Sequence, residues 1–170
     1  MGGFEGGDEG GYWDVDTLYS SVNKTKTKKD TFIEIKDSVY SIKAYAKADD
    51  AELFDTMSFV PCDCTDFTIE GCEDIPQEKN SIFLAFKALN DYIVDPDVLE
   101  FFTEHKVVVT KRIPLGKGYG GSMADAAAFL LLTKEACNLV LSTKELIDIG
   151  SEFGEDFSYF IDNYPSADGF

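Results

Sequence analysis

The chain has 170 residues, 32 of them acidic against 15 Lys plus Arg, for a formal net charge of -17. With 44% hydrophobic and 28% charged residues, it has the balance of one folded domain with a sizeable core, which excludes collagen, coiled coil and wholesale disorder. The acidity excludes nonspecific binding to nucleic acid or to an anionic membrane surface, since both rest on Lys and Arg, whereas high net charge keeps a protein soluble with no partner at all.

In chain order, residues 1–11 are Gly-rich and acidic and are expected to be a disordered tail. They lack the basic start and apolar run of a secretory leader, and no stretch approaches the roughly 20 apolar residues of a membrane span, so a cytoplasmic home is expected. Residues 12–170 are expected to form a single domain, with Tyr12 and Trp13 docking on it. The run Lys24-Thr25-Lys26-Thr27-Lys28-Lys29 is either a solvated turn or edge, or a binding arm. Thr31 to Lys36 and Ser38 to Ala46 read as strands, rich in β-branched and aromatic residues, with Asp37-Ser38 as the turn. Met57 to Val60 and Asp66 to Glu70 read as two more, joined by Pro61 to Thr65.

The period then changes. Ile82, Phe83, Phe86, Leu89 and Ile93 recur at helical spacing and predict an amphipathic helix over 79–94. Asp95 and Pro96 read as the N-cap and first position of a short helix through Phe102. Lys106 to Thr110 is a strand, and Ala124 to Cys137 is a helix with an apolar face. Ser142 and Glu145 form a capping box for a last helix to about Phe153. The fold class expected is α+β, an antiparallel-rich sheet packed on helices.

Four cysteines need placing. Cys62, Cys64 and Cys72 are either three thiolates of a metal site, completed by Cys137 or by His105, or ordinary buried and strand-edge thiols. The tighter signal lies between the last strand and the helix that follows. Gly116, Gly118, Gly120 and Gly121 run into Ser122 and an alanine-rich helix. Glycines let the backbone approach a ligand, and a helix start offers unpaired N–H groups and a partial positive charge, which together suit phosphate. From Lys106 to Gly118 there are Lys106, Lys111, Arg112 and Lys117 and no acid, a local reversal of the chain's charge. The spacing matches neither the P-loop nor the dinucleotide fingerprint. On the residues alone, the loop is either a phosphate cradle or a structural turn.

The run Lys111-Arg112-Ile113-Pro114-Leu115-Gly116-Lys117-Gly118-Tyr119-Gly120-Gly121, followed by Asp125-Ala126-Ala127-Ala128, resembles the phosphate-binding motif of the GHMP kinase superfamily. Three further segments fit the resemblance: Ser41 to Ala48, Glu78 to Ile82 and Gly154 to Phe160. Within that superfamily the likeness is to the branch that phosphorylates 4-diphosphocytidyl-2-C-methyl-D-erythritol in isoprenoid precursor synthesis. It implies the N-terminal-domain fold of these kinases, ATP and magnesium as cofactors, and a nucleotide and a small molecule as partners. It places Asp156 as the base that takes the substrate hydroxyl proton and Lys47 as its lysine partner. It places Asn80 and Lys111 at the adenosine, and Pro114, Gly116, Gly118, Gly120, Gly121 and Ser122 at the phosphates.

The departures from that motif carry expectations of their own. Ser122-Met123-Ala124 stands where the superfamily has Gly-Ser-Ser, so a thioether and a methyl replace two hydroxyls. Lys47 is followed by Ala48-Asp49-Asp50, and some twenty residues of the branch, with the Tyr-His pair that reads cytidine, have no counterpart. The C-terminal domain of these kinases is expected to be absent from the chain. The function expected is an ATP-binding kinase domain, impaired or inactive; the alternative is a non-catalytic interaction module, engineered or decayed, that self-associates into a homo-oligomer.

Overall fold

In the computed structural model, which describes residues 33–47, 52–114, 118 and 120–162, Ile33–Lys36 (β1) and Val39–Tyr45 (β2) form a hairpin. Its turn is Asp37-Ser38, with φ of 54 and 66, the left-handed pair that matches the twist of the flanking strands. Strand β2 pairs antiparallel with Phe54–Pro61 (β3), and the backbone N–H of Ala46 donates to the Leu53 carbonyl at 3.0 Å, closing the connection just beyond the strands. β3 pairs antiparallel with His105–Thr110 (β5), and Ile69–Glu70 (β4) adds to β5 in parallel, giving the order β1-β2-β3-β5-β4. The sheet is therefore antiparallel-rich, as the sequence implied. The expected tail over residues 1–11, the docking of Tyr12 and Trp13 and the lysine run at 24–29 lie outside the described residues.

Asn80 caps the first helix, Ser81–Tyr92 (α1), so this helix begins later than its apolar period suggests; Gln77–Lys79 is a separate 3-10 turn. Asp95 accepts from the Asp97 N–H and Pro96 opens Pro96–Glu104 (α2), the cap the sequence signalled. Gly121–Ala136 (α3) starts three residues closer to the loop than Ala124, because Gly120 adopts the left-handed conformation and its carbonyl accepts from Ala124. Ser142 and Glu145 form the capping box of Thr143–Ile149 (α4); the helix breaks at Gly150, and Ser151–Phe153 is a 3-10 turn. Phe157–Asp162 (α5) is a short helix that the sequence reading did not assign.

Helix α3 is the centre of the molecule. Every residue from Ala124 to Thr133 is buried, so the expected single apolar face is in fact burial all round, the mark of a helix with neighbours on every side. It lies against β2 and β3 and is flanked by α1 and α5. Phe129 of α3 meets Phe59 of β3 and Phe102 of α2 at ring-centroid distances of 5.7 and 5.4 Å, and Phe59 meets Phe102 at 5.1 Å. Each such pair contributes about 0.5–1.5 kcal/mol beyond its buried area. This aromatic layer fixes the sheet against the helices and leaves the glycine loop at one end of β5 and α3. No described helix is long and apolar enough to cross a membrane.

Candidate functional site

The site begins at a buried ion group. Along β3, Asp55, Met57 and Phe59 alternate inward, and all three are fully buried. The Oδ1 of Asp55 accepts from the backbone N–H groups of Arg112 at 2.6 Å and Ile113 at 2.9 Å, the first residues to leave β5. Its Oδ2 accepts from the Lys111 ammonium at 2.8 Å, and the same ammonium donates to Asp125 Oδ2 of α3 at 2.7 Å. The side chains of Lys111, Asp55 and Asp125 are 22%, 0% and 5% exposed. Burial pushes Asp125 well above the ordinary carboxylate range, and neighbouring Asp55 pushes the same way. Burial also acts to raise Asp55, but its bonds from Asp125, Ile113, Lys111 and Arg112 outweigh it and the net shift is downward. Burial opposes the Lys111 charge and is outweighed by Asp125 and Asp55, so Lys111 is raised. The arrangement is thus one ammonium between two carboxyls shifted in opposite directions, Asp55 down and Asp125 up. Among the described residues Asp125 Oδ1 has no hydrogen-bond partner, and it is buried, a position where ionisation is costly.

The loop these groups support is shaped by close packing. A Cβ on Gly121 would lie 3.3 Å from Ile113 Cγ2 and 3.8 Å from Lys111 Nζ, so the start and the return of the loop are stacked. Gly120 has φ 69, and a Cβ there would meet the Phe160 ring at 2.6 Å. Gly118 has φ 79, and among the described residues nothing beyond its chain neighbours lies within 4 Å of where its Cβ would stand. Gly120 supplies no side-chain cap to α3, and the opening turn of a helix carries N–H groups that need an acceptor from elsewhere. The Ser81 hydroxyl donates to the Ser122 carbonyl at 2.8 Å, which sets the starts of α1 and α3 side by side.

Beside the loop, Lys47 at the end of β2 and Asp156 just before α5 form an ion pair at 3.1 Å, with side chains 42% and 59% exposed. The Lys47 ammonium also lies over the Tyr159 ring, 5.5 Å from its centroid. A Cβ on Gly154 would stand 3.0 Å from Met123 Cε, so the Met123 thioether reaches the segment that carries Asp156. Residues from β2, α3 and α5 that are far apart in sequence therefore converge on one region.

Of the residues singled out from the sequence, Lys47 and Asp156 are adjacent and open to solvent. Gly118, Gly120, Gly121 and Ser122 line the loop and the start of α3, Pro114 opens the loop and is exposed, and Gly116 lies outside the described residues. Asn80 is buried, with its side-chain oxygen accepting from Ile82 at 2.8 Å. Lys111 is bound to two aspartates rather than extended toward solvent. The sequence reading gave no role to Asp55, Asp125 or Phe160.

The three-thiolate site does not assemble. Cys62 and Cys64 are joined to each other as a disulfide beyond the far end of β3, whereas Cys72 is buried beside Asn80 and the Lys111 group. Cys137, half-buried, has its thiol pushed up to about 12 by burial, then by Asp95 and Asp97. Among the described residues no group of three or more His, Cys, Asp or Glu side chains could hold a metal. Magnesium takes oxygen ligands in near-octahedral geometry. Here the first turn of α3 offers one hydroxyl, Ser122, next to a thioether and a methyl, and the two buried carboxylates already hold Lys111. The described residues do not fit a protein-held magnesium.

Residues 80–169 match the family described as "GHMP kinases N terminal domain". The chain is 40% identical over 126 residues to the 4-diphosphocytidyl-2-C-methyl-D-erythritol kinase of Sulfurovum sp. (strain NBC37-1), covering 74% of this chain and 48% of that protein. It is 37% identical over 119 residues to the protein of the same name from Sulfurimonas denitrificans, covering 68% and 45%. The chain spans about half the length of the curated relatives it matches. A solved homoserine kinase from Cytophaga hutchinsonii aligns with 79% of this chain and 44% of its own, at 18% identity and a TM-score of 0.49, a likeness too slight to bear on the fold.

Proposed function

We propose, from the premise that this chain belongs to the family of GHMP kinase N-terminal domains, that it binds ATP at the glycine loop and carries the acid–base half of a phosphotransferase site. The observation that carries this reading is the ion pair of Lys47 and Asp156, exposed and next to the loop. Phosphoryl transfer asks little covalent chemistry of a protein and much positioning. In this reading the backbone of Gly118 and of residues 120–122, with the start of α3, faces the phosphates, and Asp156 accepts the proton of the attacking hydroxyl. Lys47 orients Asp156. Asn80 and Lys111 bound the adenosine end as buried walls.

The hydroxyl acceptor in this reading is a small molecule of the kind named in the relatives' titles, 4-diphosphocytidyl-2-C-methyl-D-erythritol, in a chain that works in the cytoplasm as one domain over residues 12–170. Turnover is expected to be weak. Met123 and Ala124 leave the first turn of α3 without the two hydroxyls of the superfamily motif, the residues fit no protein-held magnesium, and a misplacement of about 1 Å can cost about a hundredfold in rate. Backbone N–H groups and the helix dipole remain, so nucleotide binding is expected to outlast catalysis.

A thermal-shift titration with ATP, CTP, GTP and inorganic triphosphate tests the reading. Stabilisation by ATP and triphosphate supports it; no shift at millimolar concentration of either contradicts it. Sedimentation of the same samples with and without ATP decides between a monomer and the self-associating, non-catalytic alternative.

A further inference from the structure

We infer that Asp55 is a positioning residue for the glycine loop, holding its entry through the backbone amides of Arg112 and Ile113 and its exit through Lys111 and Asp125. The inference rests on the proposed role of the loop in holding phosphates. A buried ion group is weak support for a fold, since apolar residues of the same volume often serve as well or better. Its role is sought in what it holds, and here it holds both ends of one loop.

At the entry, a single carboxylate oxygen takes two successive amides, Arg112 at 2.6 Å and Ile113 at 2.9 Å. That arrangement fixes the direction in which the chain leaves β5. The Arg112 guanidinium lies 4.7 Å from the centroid of the Phe54 ring, next to Asp55 on β3, and holds the same turn from outside. At the exit, Asp125 follows directly on the residue that closes the first backbone bond of α3, Ala124 N–H to the Gly120 carbonyl at 2.8 Å. Fixing Asp125 to Lys111 therefore fixes the rotation of the first turn of α3 and the direction of its N–H groups. Gly121, with no Cβ, allows Lys111 and Ile113 to lie beneath it. Arg112 and Ile113 before the glycines, and Asp125 after them through Lys111, are thus tied to one buried side chain on β3. Tying the ends removes conformational entropy that ligand binding would otherwise have to remove.

The test is amide hydrogen exchange read by mass spectrometry, with tripolyphosphate and adenosine affinities by calorimetry, on the full chain. In Asp55→Leu, exchange is expected to rise about tenfold at 111–113 and at 120–125 while β1 and β2 keep the parent's protection. In Lys111→Met, which removes the ammonium between Asp55 and Asp125 but leaves both amides on Asp55, the rise is expected at 120–125 alone. Should Asp55→Leu fail to fold, Asp55→Asn retains an acceptor for the two amides but loses the ammonium, and is expected to follow the Lys111→Met pattern. Tripolyphosphate affinity should fall with the exchange change, by about three- to tenfold, and in the Asp55 variants adenosine affinity should not. Unchanged exchange at 111–125, or an even loss of protection across β1 and β2 as well, overturns the inference. A parent chain that binds no tripolyphosphate, with the local exchange pattern present, overturns the phosphate reading and leaves the positioning role standing.

Discussion

Lys47 and Lys111 both pair with aspartates beside the same loop, one in solvent and one in the interior. Lys47 and Asp156 are held by one another and by the nearby Tyr159 ring, and both remain open to a ligand. Lys111 is tied to two carboxylates on two different elements, one on β3 and one on α3, and little of it reaches water. The exposed pair is available to chemistry and contributes little to the fold. The buried group cannot meet a reacting atom, yet it decides where the loop stands. Motif reading treats the two lysines alike, and only their surroundings separate their roles.

The largest expected effect comes from breaking the buried side of this comparison. Asp55→Ala leaves Lys111 with one partner and orphans two amides, and should reduce unfolding stability by about 3–5 kcal/mol in urea titration. Lys47→Ala, which breaks the exposed pair, should stay within about 1 kcal/mol. Equal losses would mean the two pairs do not differ as described.

A second contrast lies within the loop. Gly120→Val puts a branched side chain at φ 69 and into the Phe160 ring, for an expected loss of about 2–3 kcal/mol in the same titration. Phe160→Leu in that background should recover part of it, because the ring is what the new side chain meets. No recovery would assign the whole loss to backbone strain.

The pH dependence separates the two buried aspartates. Asp55 is shifted down, so its contribution is present above the ordinary carboxylate value of 3.8 and is lost as pH falls through its lower folded value. Asp125 is shifted up, so its contribution is complete below 3.8 and is lost as pH rises through its raised folded value. Asp125→Asn removes that second loss. Relative to the parent, it should gain stability as pH rises above about 4; a parallel pair of stability curves would mean that folding does not raise Asp125.

The smallest effect is expected at Met123, half-buried on the side of α3 that faces Gly154. Met123→Ser should alter stability by less than about 1 kcal/mol and strengthen ATP binding by a few fold. Ala124 is buried, so adding Ala124→Ser would place its hydroxyl in the interior and should add nothing. Weaker ATP binding by Met123→Ser would show that the thioether itself contacts the nucleotide.

Much of this was legible where local chemistry speaks alone. The Asp37-Ser38 turn, the Asp95–Pro96 helix start and the Ser142–Glu145 capping box all appear where the sequence placed them. What escaped depends on register and on distant neighbours. The third strand was read from Met57, whereas it starts at Phe54, and those few residues hid Asp55. The signal was present: Asp55 is in phase with Met57 and Phe59, and a carboxylate on the inward phase of a strand needs a buried partner. Helix α5 escaped because Phe157, Phe160 and Ile161 have helical spacing over barely two turns, too short a run to read. The capping of α1 by the Asn80 oxygen also escaped, since nothing in the sequence shows that bond.

The central claim is that phosphate sits beside Gly118, and one titration addresses it directly. Asn tolerates left-handed backbone better than other side-chain-bearing residues. Gly118→Asn should therefore keep the loop's path and fill only the space beside it. Calorimetric titration with ATP should show binding by the parent chain and at least about a tenfold loss in Gly118→Asn, with thermal stability little changed. Equal ATP affinity in the two chains would contradict the account and reduce the loop to a turn.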